Sequence, residues 1–142
     1  MSHLNLDNSR LRNVQLVGQP KLRYLSKPAS YATAGAQTYT AADILSGVIV
    51  RDPNGASRSD VLPTAALLVA AVENPQIGDM FEVLITNGAD AAEVITLTAG
   101  TGVSFDTNQT ASSRVIGQNT SKVVRILLTA VAGGSEAYTA YT

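Results

Sequence analysis

From residue 47 onward, each apolar run in this chain is cut short by a turn signal, and that punctuation restricts the fold more than any other feature. Gly47-Val48-Ile49-Val50 runs into Asp52-Pro53-Asn54-Gly55, where proline fixes φ and glycine accepts φ > 0. A short strand is expected over residues 57–61. Ile77-Gly78-Asp79 turns the chain into the run 80–86, and Asn87-Gly88 begins a tight loop to residues 93–98, which alternate polar and apolar side chains as a half-buried strand does. Gly100-Thr101-Gly102 leads to a brief strand at 103–105, and another is expected near 113–116. The longest strand candidate is 122–129, which Gly133-Gly134 turns back into 136–141. About seven or eight short strands with such spacing predict an all-β fold. The expected form is a mainly antiparallel β-sandwich or barrel, jelly-roll-like or of another barrel topology.

Helix is expected in two places. Leu62-Pro63-Thr64 opens Ala65-Ala66-Leu67-Leu68-Val69-Ala70-Ala71-Val72, whose alanines and leucines favour helix and whose lack of polar residues predicts burial. Asn74-Pro75 ends it. This is the one short buried helix of the predicted fold, while residues 40–45 read as a single turn with Thr40 as N-cap. No repeat of 20 to 50 residues and no heptad pattern is present, which excludes a solenoid or a coiled-coil shaft.

Residues 1–37 differ from the rest. Pro20 and Pro28 forbid one continuous helix, and the apolar pieces at Leu4, Leu6, Leu11, 14–17 and 22–25 are irregularly spaced. The expected organisation is an extended N-terminal arm (1–37) and a β-sandwich or barrel body (38–142). Arm residues Arg10, Arg12, Lys21, Arg23 and Lys27 face the single acid Asp7, so the arm carries about +4. The body holds five bases against ten acids and carries about −5, which gives the net charge of −1. Three readings of the arm remain open: it lies across neighbouring subunits or a shell, it folds back on its own body as an edge strand and cap, or it is disordered.

Several chemistries are unsupported. With no cysteine, disulfides and thiolate metal sites are excluded, and the one histidine, His3, sits in the arm, which argues against a Ser-His-Asp catalytic set. The carboxylate pairs Asp52 with Asp60 and Asp79 with Glu82 fall largely at turns, where aspartate is expected for local hydrogen bonding. Asp52-Pro53-Asn54-Gly55 lacks the ligand series of a helix-loop-helix calcium site, and Gly100-Thr101-Gly102 lacks the lysine of a phosphate loop. The expectation is no enzyme and no cofactor. A net charge near zero and five bases spread along the arm with Tyr24 alone among them do not predict nucleic-acid binding. The opening residues lack a secretory pattern and no apolar stretch is long enough to span a bilayer, so synthesis in the cytosol and no membrane partner are expected.

In order along the chain, Asp52-Pro53-Asn54-Gly55, Asp60-Val61-Leu62-Pro63-Thr64-Ala65, Gly78-Asp79-Met80-Phe81 with Ile85-Thr86-Asn87, and Ile95-Thr96-Leu97 with Gly100-Thr101-Gly102-Val103 resemble a module of tailed-bacteriophage virion proteins. That module occurs in capsid decoration (cement) proteins and in head or tail fibre proteins, often as trimers of small β-rich domains. The resemblance covers residues 38–142. It implies a decoration protein synthesised in the host cytoplasm that binds the outer surface of the major capsid protein shell, as a homotrimer, and stabilises the head. The alternative is a receptor- or glycan-binding head domain of a fibre. In the decoration reading the arm contacts are Arg10, Arg12, Leu16, Lys21, Arg23, Tyr24 and Lys27, and the structural turns are set by Asp52, Pro53, Gly55, Pro63, Gly78 and Gly88.

Overall fold

A computed structural model describes residues 28–142. In chain order these form β1 (Ala29–Ala32), α1 (Ala41–Ser46), β2 (Val48–Asp52), β3 (Arg58–Val61), α2 (Ala65–Ala71), β4 (Met80–Asn87), β5 (Ile95–Thr98) and β6 (Val103–Phe105). A 3-10 turn (Ala111–Arg114), β7 (Val115–Ile116), β8 (Ser121–Ala130) and β9 (Ala137–Tyr141) follow. The fold is mainly β.

Local chemistry sets the two short helices. Thr40 and Asp43 make a capping box around α1: the Thr40 hydroxyl accepts from the Asp43 amide at 3.1 Å, and Asp43 Oδ2 accepts from the Thr40 amide at 2.7 Å. Gly47, at φ 82°, ends that helix in the left-handed region. Thr64 caps α2 by accepting from the Leu67 amide. Only Ala65, Leu68 and Val69 of α2 are buried, whereas Ala66, Leu67, Ala70 and Ala71 are exposed. This corrects the expectation of a wholly buried helix: at 3.6 residues per turn one stripe faces the core, however apolar the rest is.

The strands form a six-stranded sheet in the order β1-β2-β4-β8-β9-β6 and a three-stranded sheet in the order β3-β5-β7. The pairs β1·β2, β2·β4, β3·β5 and β6·β9 are parallel, while β4·β8, β5·β7 and β8·β9 are antiparallel. Both sheets are therefore mixed, which corrects the mainly antiparallel, jelly-roll-like expectation. Parallel neighbours require a crossover of a dozen or more residues. The segment holding α1 supplies one between β1 and β2, and the segment holding β3 and α2 supplies another between β2 and β4. Alternation along a strand encodes which face is buried but not the direction of the neighbour.

The 87–94 loop does not close a hairpin either, because β4 lies in the larger sheet and β5 in the smaller one. Asn87 redirects the chain there: its Nδ2 donates to the carbonyls of Glu93 and Ile116, and its Oδ1 accepts from the Ala89 amide. The Gly133-Gly134 turn does join an antiparallel pair, β8 and β9.

One core lies between these layers. Ile49, Val83, Ile85, Val124, Ile126, Leu128, Tyr138 and Ala140 from the large sheet meet Ile95, Leu97 and Ile116 from the small one. Leu62, Ile44, Leu68 and Val69 complete it from the loops and helices. The body also reaches further upstream than residue 38, because β1 pairs with β2 and the segment after it is held by buried side chains.

Close approach of backbones requires glycine at two places in the 100–102 turn. A Cβ on Gly100 would lie 2.5 Å from the Leu62 carbonyl oxygen, and one on Gly102, at φ 76°, would lie 2.6 Å from that of Glu136. Gly102→Ala is expected to lower unfolding free energy by more than about 2 kcal/mol, because strain at positive φ adds to the overlap. Urea unfolding checks this, and an unchanged midpoint would contradict the close approach.

Candidate functional site

An ion pair with no solvent access ties β2 to β3. Arg51 continues the inward row of Ile49, and Asp60 occupies the buried position of β3. Arg51 Nε donates to Asp60 Oδ2 at 2.8 Å, with both side chains fully buried. The other guanidinium donors reach the carbonyls of Thr33 at 3.0 Å, Gly35 at 2.6 Å and Asp52. Asp60 also accepts from the Gln37 amide and from the Tyr39 hydroxyl, each at 2.8 Å. Residues 33–39 are thus wrapped around this pair. They pass from the edge of the large sheet to the edge of the small one, where Thr38 bridges Val61.

Tyr31 adds a second link, its hydroxyl donating to Asp43 Oδ2 of the α1 cap at 2.7 Å. Burial, then the Asp43 hydrogen bond and charge, push the Tyr31 phenol up to about 12. Tyr39 is raised further by burial and the Asp60 carboxylate, partly opposed by Arg51, and Tyr138 is raised by burial alone. The Tyr138 hydroxyl donates to the Pro63 carbonyl at 2.7 Å.

The residues singled out in the sequence separate into local roles. Asp52 Oδ1 accepts from the Asn54 amide in the β2–β3 turn, which also holds Pro53, with Asn54 and Gly55 at positive φ. Pro63 is buried before α2, and Gly78 has φ 96° in the turn before β4. The Gly88 amide donates to the Arg51 carbonyl. Asp79 accepts from the Gln76 amide, and Glu82 pairs with Arg125, so neither carboxylate pair forms a joint acid-base site. Among the described residues no three carboxylate or imidazole side chains gather as metal ligands, and no helix is long and apolar enough to cross a membrane. Arg10, Arg12, Leu16, Lys21, Arg23, Tyr24, Lys27 and His3 lie outside the described residues.

Sequence reasoning passed over Arg51 and Asp60 as partners. The signal was present: an arginine two positions after Ile49 in an apolar strand takes the inward position, and a charge there requires a buried partner.

The second feature is the outer face of the large sheet. Its register places Val48, Leu84 and Val123 in one row, Val50, Thr86 and Ser121 in the next, and Glu82, Arg125 and Tyr141 on the other side. Met80, Leu127, Thr139 and Ser104 form a further row. Relative exposure is 36% for Leu84, 41% for Val123, 40% for Val50 and 59% for Met80. Among the described residues these are four of the six exposed large hydrophobic side chains, so the apolar surface is concentrated on one side. Only Asp52, at the end of β2, and the Glu82–Arg125 pair at 2.6 Å bring charge to it. Hydroxyl pairs Thr86–Ser121 and Ser104–Thr139 complete the rows.

No protein-family model, no curated protein and no solved structure matches the chain.

Asp60→Ala leaves the Arg51 cation buried without its counter-charge and is expected to cost about 3–5 kcal/mol of unfolding free energy. Denaturant titration tests it, and a loss under about 1 kcal/mol would show the pair to be dispensable. A pH series tests the tyrosines. Below about pH 10 they are protonated in folded and unfolded chains alike, so their contribution is intact. Above that, the unfolded chain releases phenolic protons that the folded chain keeps, so stability should fall between about pH 10 and 12. A constant denaturation midpoint across that window would contradict it.

Proposed function

We propose that this chain is a non-enzymatic virion protein that decorates a phage capsid, binding the outer surface of the major capsid protein shell as a homotrimer and stabilising the head. The observation that carries this reading is the open, weakly charged apolar sheet face, set on a body whose buried polar groups hold segments of the backbone together. A surface of that kind suits broad, permanent contact between proteins more than turnover of a substrate.

The order of the motifs in residues 52–103, which resembles the virion module, supports the same reading. The mixed two-sheet body takes the place of the antiparallel, jelly-roll-like form expected from the strand and turn spacing. In this proposal the sheet face joins copies of the chain and the basic arm attaches them to the shell: its interleaved leucines and valines add burial, and its charge adds orientation towards an acidic shell surface. Repetition over a symmetric shell multiplies weak individual contacts.

Co-sedimentation with heads of the phage that encodes the chain tests the proposal. Full-length protein should pellet with the heads and raise the temperature at which they rupture. Replacing Arg10, Arg12, Lys21, Arg23 and Lys27 by serine should weaken pelleting at least tenfold with the denaturation midpoint unchanged. Absence of binding by the unaltered chain overturns the reading, and density confined to a fibre or tail tip in virion images would replace it with the adhesin alternative.

A further inference from the structure

We infer that the outer face of the six-stranded sheet is the contact between copies of this chain, with the symmetry axis running along the strands in front of the line between β4 and β8. This rests on the homotrimer proposed above and names the surface that builds it.

The register supplies the argument. With such an axis, the β4 side of one sheet packs against the β8 side of the next copy. Leu84 then meets Val123, Met80 meets Leu127, and Thr86 meets Ser121, each a partner of like character drawn from the same row. Glu82 of one copy meets Arg125 of the next. The two charges sit opposite each other on adjacent strands in the middle of the face, so the face is complementary to itself in charge as well as in apolar character. Within a single chain the pair is more than half exposed, where such a contact is worth little, and stacking of a second sheet would remove it from water.

The size puts the contact in the weak, concentration-dependent class. Six strands at about 4.8 Å spacing and about 20 Å in length make a face of roughly 600 Å². A standard stable interface buries about 800 Å² per partner. In a trimer each copy divides this area between two neighbours, about 300 Å² each, with the three sheets inclined to one another around the axis and the valine and leucine side chains filling the space between them.

The contact can be read from the mass of the full-length chain in solution, by light scattering or sedimentation at about 50 µM. The expected result is three chain masses for the unaltered protein. Leu84→Asp and Val123→Asp should each reduce it to one chain mass with far-ultraviolet circular dichroism and denaturation midpoint preserved, since both side chains point out of the core. Glu82→Arg and Arg125→Glu should each shift the equilibrium towards monomer by at least tenfold, and the double exchange should restore the multimer. A monomeric unaltered chain overturns the proposal, including the case in which residues 1–27 occupy the face. So does a multimer indifferent to Leu84→Asp and Val123→Asp. Shell binding reads out separately: a trimer that dissociates in these variants yet never binds heads would leave this contact standing and remove the decoration reading.

Discussion

Burying an unpaired charge in this core would cost several kcal/mol, and the architecture around Arg51 and Asp60 follows from meeting that cost. Each group has its opposite charge, and each has remaining hydrogen-bonding capacity of which another side chain, the Tyr39 hydroxyl, fills only one place. Backbone carbonyls from Thr33, Gly35 and Asp52 and the Gln37 amide fill the rest. A segment without regular structure of its own thereby acquires a fixed path, and its path joins the two sheets. Apolar packing could hold the layers together, but it is not directional. The ion pair specifies where the 33–39 segment must lie, and the Thr38–Val61 bridge, the Tyr39 hydroxyl and the α1 cap follow from that placement.

The strands were legible because alternation and turn residues are local properties. Met80 to Asn87 and Ser121 to Ala130 follow from side-chain pattern alone, as do Thr40 capping α1 and Gly133-Gly134 closing the β8–β9 hairpin. Tyr138 packs while Tyr141 stays half-exposed on the other face, as their odd spacing requires. Pairing direction was not legible, because β1 and β2 meet only after an intervening helix and nothing in Ala-Ser-Tyr-Ala announces a strand. The same residues fell within the expected arm of residues 1–37, because three of the four are small or polar. What makes them a strand is an edge offered by β2, which is tertiary information.

The candidate surface was only partly visible. Val48, Leu84 and Val123 can each be read as outward positions of a strand, but their alignment into one row depends on a register that joins segments far apart in sequence. In α2 the problem was reversed: a stretch apolar on all sides gives no periodic signal of which stripe is buried, and the Thr64 cap together with contact between Ala65 and the 101–102 turn decides it.

The position of β9 bears on how the chain is made. β9 lies between β8 and β6, so β6 has no neighbour in the sheet until synthesis reaches residues 137–141. Tyr138, which closes the core onto the Pro63 carbonyl, arrives with it. As the chain leaves the ribosome, the row of inward residues on β8 therefore stays open on one side until the last strand emerges. Partly made chains expose that edge, and their association with one another is limited by how quickly β9 is delivered rather than by the stability of the finished fold.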